Sequence, residues 1–204
     1  MEWQPDRVVV IGRREGDAHK LIGSGAIVAP HRVLTAAHVV IDGTSKAPKP
    51  ELAVRRESSA DWIPATVRWR RDGLDAALLE VAPALVTQAH PLACFDGQRI
   101  LNNQPWFARG YPMVGASEER STRLESLNGT THPYWPTEHH ITLNVEAPPA
   151  NCRGLSGAAV VVGERIVGVV QLVPRPDAWD RRLLQATPVA SLLAEPAFLD
   201  ALDI

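Results

Sequence analysis

Short apolar runs closed at both ends by turn-forming residues are what most restrict the fold of this chain. They include "RVVVIG" at 7–12, "GAIVA" at 25–29, "RVLTA" at 32–36, "AALLEV" at 76–81, "HITLNV" at 140–145, "GAAVVV" at 157–162 and "RIVGVVQLV" at 165–173. Runs of this length, rich in Val and Ile, suit strands and are too short for typical helices. Repeated along a chain at short spacing, they predict an all-β sandwich or barrel. The 17 prolines and 14 glycines fall mostly between the runs, which disfavours an alternating βαβ pattern. The clearest helix candidate is the tail "PVASLLAEPAFLDALDI", where Leu192, Leu193, Phe198 and Leu202 can share a face and Pro196 would kink or split it.

A length of 204 residues suits one compact β unit or two docked halves. Texture changes at "CFDGQRILNNQPW", residues 94–106, where polar and turn-prone residues separate two groups of strands. The expected organisation is an N-terminal half over 1–98, a C-terminal half over 99–188 and a helical tail over 189–204. The loops at 43–51 and 115–138 are long and polar, a mark of functional or mobile segments. With 45% hydrophobic and 22% charged residues the chain can bury a core. Its formal charge of -2, with scattered Lys and Arg, argues against nucleic acid or a membrane surface as partner. Cys94 and Cys152 allow one disulfide at most, so free thiols are expected. The N-terminal segment lacks the charged and apolar regions of a signal peptide, and no apolar stretch reaches the roughly 20 residues of a membrane span. A cytoplasmic location is the expectation.

The stretch "NCRGLSGAAVV", residues 151–161, places Ser156 between Gly154 and Gly157 at the edge of an apolar run. An alcohol becomes a useful nucleophile when a base takes its proton and a third group fixes the base's tautomer. "VLTAAHVV" at 33–40 offers His38 for the base, since imidazole titrates nearest neutral pH. "DGLDAALLEV" at 72–81 offers Asp75, whose carboxylate at the mouth of an apolar run needs a partner such as a histidine N–H. Glycine at 154 lets the N–H groups of Gly154 and Ser156 converge on one oxygen, forming an oxyanion hole.

With these pieces in the order His, Asp, Ser, the chain resembles the chymotrypsin-like, or trypsin-like, serine peptidases, in particular bacterial intracellular members. The resemblance rests on "GSGAIVAPHRVLTAAHVV" at 23–40, "DAALLEV" at 75–81, "GLSGAAVV" at 154–161 and "IVGVVQLV" at 166–173. It implies two packed six-stranded antiparallel β-barrels with the site between them. His38 is then the base, Asp75 the orienter, Ser156 the nucleophile, and Gly154 and Ser156 the oxyanion donors. A protein or peptide substrate follows, with no cofactor and no metal, and a regulatory partner protein in a bacterial signalling or defence setting.

The pattern departs from the family in two places. Members activated by cleavage carry an aspartate before the serine, and this chain has Leu155; activation by a new N-terminal amine is therefore not expected. Many members have a serine near the triad aspartate where this chain has Gln171, so the support of Asp75 is expected to differ. For substrate, Ala150 stands where the base of the primary pocket is expected, which predicts an apolar or small preference. Asp177 and Asp180 are candidates to enter the pocket wall and reverse it, and Arg153 to favour acidic groups nearby. Gln171, Leu172 and Val173 are expected to pair with the substrate's backbone. His139 and His140 beside Glu138 are read as exposed loop residues, because neighbours on a strand point to opposite faces and would not converge on an ion. The alternative to an enzyme is an inactive domain of the same fold serving as a binding or scaffolding module.

Overall fold

The computed structural model describes residues 5–86, 103–112, 124–131, 140–147, 154–172 and 183–203. Two closed six-stranded barrels make up the molecule. The first holds β1 (Val8–Glu15), β2 (Ala18–Ala29), β3 (Arg32–Thr35), β4 (Leu52–Arg56), β5 (Ile63–Arg71) and β6 (Ala76–Val81). The second holds β7 (Pro105–Gly110), β8 (Glu125–Thr131), β9 (Ile141–Val145), β10 (Ala159–Val162), β11 (Arg165–Leu172) and β12 (Leu183–Pro188). Around the first barrel the strands run β1-β2-β3-β6-β5-β4, and read from its first strand the second repeats that order, β7-β8-β9-β12-β11-β10. Every pairing is antiparallel, with closure through β1–β4 and β7–β10. The expected junction at 94–106 falls largely outside the described residues.

Several strands read as unbroken apolar runs because both of their faces are buried. Val9 and Ile11 of β1 fill the first barrel with Ile27, Val33, Val54 and Leu79. Their neighbours Val8 and Val10 turn outward into one apolar layer that also holds Val161, Ile166 and Val169 of the second barrel. Val160 and Val170 point back into that barrel with Trp106, Leu127, Leu143 and Leu184. The two-residue period of a strand thus sends alternate side chains to a barrel interior and to the layer between barrels.

The tail splits at Pro196, which opens α3 (Pro196–Leu202) after α2 (Val189–Leu193). Leu192, Phe198 and Leu202 are buried in the layer between barrels, and Trp69 of β5 meets Phe198 edge to face at 5.0 Å. Burial of a side chain like Phe198 contributes about 1.5–3 kcal/mol. The buried Arg32 guanidinium ties the tail to β3 and β6: Nε donates to the Ala201 carbonyl at 2.8 Å, Nη1 pairs with Glu80 at 3.0 Å, and Nη2 pairs with Asp203. Among the described residues no helix is long and apolar enough to cross a membrane.

Candidate active site

β3 runs directly into α1 (Ala37–Val40), a single turn that buries Val39 and Val40 and leaves the His38 side chain 40% exposed. A turn this short leaves its last carbonyls without helical partners. Lys49 supplies one: its Nζ donates to the Val39 carbonyl at 2.8 Å and approaches the His38 carbonyl at 3.4 Å. The loop that brings Lys49 there is organised by the Asp42 carboxylate, which accepts from the N–H groups of Thr44 and Ser45 at 3.0 and 2.8 Å. Those bonds favour the charged form, so the Asp42 carboxyl is held below its ordinary range.

Asp75 follows a short 3-10 turn, Asp72–Leu74, and sits in the left-handed region at φ 46, ψ 47. That conformation is costly for a residue with a β-carbon. It is met by two contacts to one partner: Oδ2 lies 2.7 Å from His38 Nδ1, and Oδ1 accepts the His38 main-chain N–H at 2.9 Å. A carboxylate only accepts, so Nδ1 carries the hydrogen, and in the neutral ring Nε2 is then the acceptor.

A second set of contacts holds the peptide just before Asp75. The buried Gln171 side chain donates through Nε2 to the Leu74 carbonyl at 3.0 Å and to Thr187 Oγ1 at 2.6 Å, and the Thr187 hydroxyl donates to the same carbonyl. Both residues belong to the second barrel and Leu74 to the first. Gln171 sits where the β11–β12 register shifts, between Val170 and Leu172. Its side chain is therefore committed inward, leaving only its backbone to meet a ligand.

Ser156 lies in a turn from Gly154 to Gly157, whose glycines have φ 93 and 88. Within it the Leu155 carbonyl accepts from the Ala158 N–H at 2.9 Å, and the Gly157 N–H donates to Val170 at 2.7 Å. The Leu155 side chain is buried in the second barrel. The turn presses on the strands that lead to His38. A β-carbon on Gly157 would stand 2.1 Å from both the Ser24 carbonyl and Thr35 Oγ1, and 3.1 Å from the Ala36 nitrogen. One on Gly23 would meet Val39 of α1 at 2.6 Å and the Ser156 carbonyl at 3.1 Å. Ser156 and α1 thus flank Gly23 from opposite barrels. Among the described residues no hydrogen bond joins the Ser156 hydroxyl to His38.

Ala150, Arg153 and Val173 lie outside the described residues, as do Cys94, Cys152, Glu138, His139, Asp177 and Asp180. Leu172 ends β11, paired with Gln185 of β12. Sequence reasoning assigned nothing to Ser24, Lys49 or Thr187. For Ser24 a signal was present: a small polar residue between two glycines, in a strand whose neighbours are apolar.

A family model described as a trypsin-like peptidase domain matches residues 23–169. Among solved structures the chain is similar to mouse neuropsin, a serine protease expressed in the limbic system of the brain, with TM-score 0.71 and 16% identity over 94% of this chain and 92% of that one. It is similar to a protease from M. tuberculosis in its active form, with TM-score 0.67 and 19% identity over 97% of this chain and 81% of that one. A serine endoprotease from Yersinia pestis gives TM-score 0.71 and 19% identity over 98% of this chain and 64% of that one. No curated protein sequence matches significantly.

Proposed function

The chain belongs to the trypsin-like serine peptidase family, and on that premise we propose that it is a serine endopeptidase acting through an acyl-enzyme on Ser156. The observation that carries this reading is the pair His38 Nδ1–Asp75 Oδ2 at 2.7 Å, which leaves Nε2 free to act as base. In the proposed reaction Nε2 takes the Ser156 proton as Oγ attacks the peptide carbonyl carbon. The N–H groups of Gly154 and Ser156 hold the oxygen of the tetrahedral intermediate; removal of one such donor raises a barrier by roughly 3–4 kcal/mol. The carbon–nitrogen bond then breaks and the amine leaves with the proton from His38; water, deprotonated by the same imidazole, attacks the acyl carbon, the carbon–Oγ bond breaks as Ser156 Oγ takes that proton back, and the acyl group leaves as a carboxylic acid that ionises. The hydrogen bond between Ser156 and His38 forms when substrate closes the site, as catalytic contacts often tighten only in the complex.

The backbone of 171–173 pairs with the substrate strand in this reading. Ala150 at the pocket base selects a small or apolar side chain, and Arg153 favours an acidic group nearby. Leu155 excludes activation by a new N-terminal amine, because its apolar side chain is seated in the barrel core and offers that amine no charge. Control therefore falls to a partner or to loop ordering, and the role assigned is cleavage of one partner protein in a bacterial signalling or defence response. Proteome-wide mapping of cleavage sites with the wild type and with Ser156→Ala tests the proposal. New termini following small or apolar residues, absent with the variant, are expected; identical cleavage by both proteins would contradict it and leave a binding module.

A further inference from the structure

Ser24 is fully buried in β2 and each of its polar groups is engaged. Its N–H donates to the Ser156 carbonyl at 2.9 Å, and its carbonyl accepts from the Thr35 hydroxyl at 2.7 Å. Its hydroxyl accepts from the Tyr111 N–H at 2.9 Å and donates to the Gly154 carbonyl at 2.7 Å. Serine and threonine hydroxyls are the smallest side-chain groups that can accept and donate at once. The space is tight: a β-carbon on Gly110 would stand 2.8 Å from Ser24 Oγ.

The carbonyls of Gly154 and Ser156 both face Ser24, whereas the Leu155 carbonyl between them turns to the Ala158 N–H. In a trans peptide the N–H points opposite to the carbonyl, so the Leu155–Ala158 bond already sets the direction of the Ser156 N–H. Among the described residues no contact within the turn braces the Gly154–Leu155 peptide in the same way. At φ 93 Gly154 has no β-carbon to confine it, and glycine moves between conformations at little cost. Among the described residues the Ser24 hydroxyl on its carbonyl is the contact that holds that peptide.

We propose that Ser24 is a positioning residue for the oxyanion turn: its hydroxyl fixes the Gly154–Leu155 peptide, the link between the two peptides that carry the Gly154 and Ser156 N–H groups, and so restrains the rotations that would turn those donors away from the developing negative charge. The inference rests on the peptidase reading above. Because Ser24 belongs to the barrel of His38 and Asp75, and Gly154 to the barrel of Ser156, this hydroxyl makes assembly of the oxyanion hole depend on how the barrels dock.

The test compares wild type and Ser24→Ala in kcat, KM and affinity for a peptide boronic acid, whose tetrahedral adduct places an oxygen in the hole. Thermal unfolding of each protein reports the folded fraction. A loss of roughly tenfold or more is expected in both kcat and boronate affinity, with KM within about twofold. Unchanged kcat and boronate affinity in a folded variant would overturn the assignment, as would losses no larger than the unfolded fraction explains. Where the alanine variant does not fold, Ser24→Cys, which keeps a weaker donor, carries the same comparison; intermediate boronate affinity supports the role and wild-type affinity refutes it. A wild type that neither cleaves peptides nor binds the boronate defeats the peptidase reading itself and the inference with it.

Discussion

The side-chain amide of Gln171 donates to the main-chain carbonyl of Leu74 at 3.0 Å, across the barrel interface and one residue before Asp75. Thr187 donates to the same carbonyl, so either residue can satisfy it alone. Gln171→Leu and Thr187→Val should each cost about 1 kcal/mol in urea unfolding, and the double variant should exceed their sum by about 1–3 kcal/mol, because only then is a buried carbonyl left without a partner. A purely additive cycle would contradict the shared clamp.

The strand pattern was legible because each run is short and ends in turn formers, and the split of the tail at Pro196 follows from a ring that cannot continue a helix. His38 and Asp75, read from two distant motifs, lie in contact. What the pattern hid was which of two buried faces each residue serves: Val8 and Val9 look alike in sequence, yet one packs between the barrels and the other inside. Ser24 and Thr187 were missed for a related reason. Their partners are brought near by strand register and barrel docking, and no local spacing encodes either.

Gly157 combines φ 88 with a would-be β-carbon 2.1 Å from the Ser24 carbonyl. Gly157→Ala should therefore destabilise by more than about 3 kcal/mol, since backbone strain and a clash with main chain act together. Differential scanning calorimetry would show a lowered midpoint; a change within about 0.5 kcal/mol, ordinary for a neutral surface substitution, would mean the turn relaxes freely.

Leu155 is buried in the second barrel beside Ala158 and Val160. Replacing it with the aspartate of cleavage-activated relatives places a carboxylate among apolar side chains, at an expected cost of at least about 3 kcal/mol. Leu155→Met should be tolerated within about 1.5 kcal/mol. Denaturant midpoints of the two variants check this, and an aspartate variant as stable as wild type would argue against it.

His19 stacks on Trp62 at 4.5 Å, and Arg55 lies over the same ring at 5.0 Å. Burial first, then the charges of Arg14 and Arg55, lower its pKa, with Glu51 acting in the opposite sense. The unfolded chain then takes up this proton first, so the contribution to stability is complete above about pH 6.5 and is lost as pH falls toward the folded value. His19→Gln should flatten that part of the stability profile. Parallel profiles for the two proteins below about pH 6.5 would contradict the assignment.

The most direct test is intact-mass analysis after a fluorophosphonate probe, with peptide mapping of the adduct. One adduct per chain on Ser156, lost in Ser156→Ala and strongly slowed in His38→Ala, is the predicted result. No adduct on the folded wild type, or a rate indifferent to His38, would contradict the claim that His38 activates Ser156 as a nucleophile.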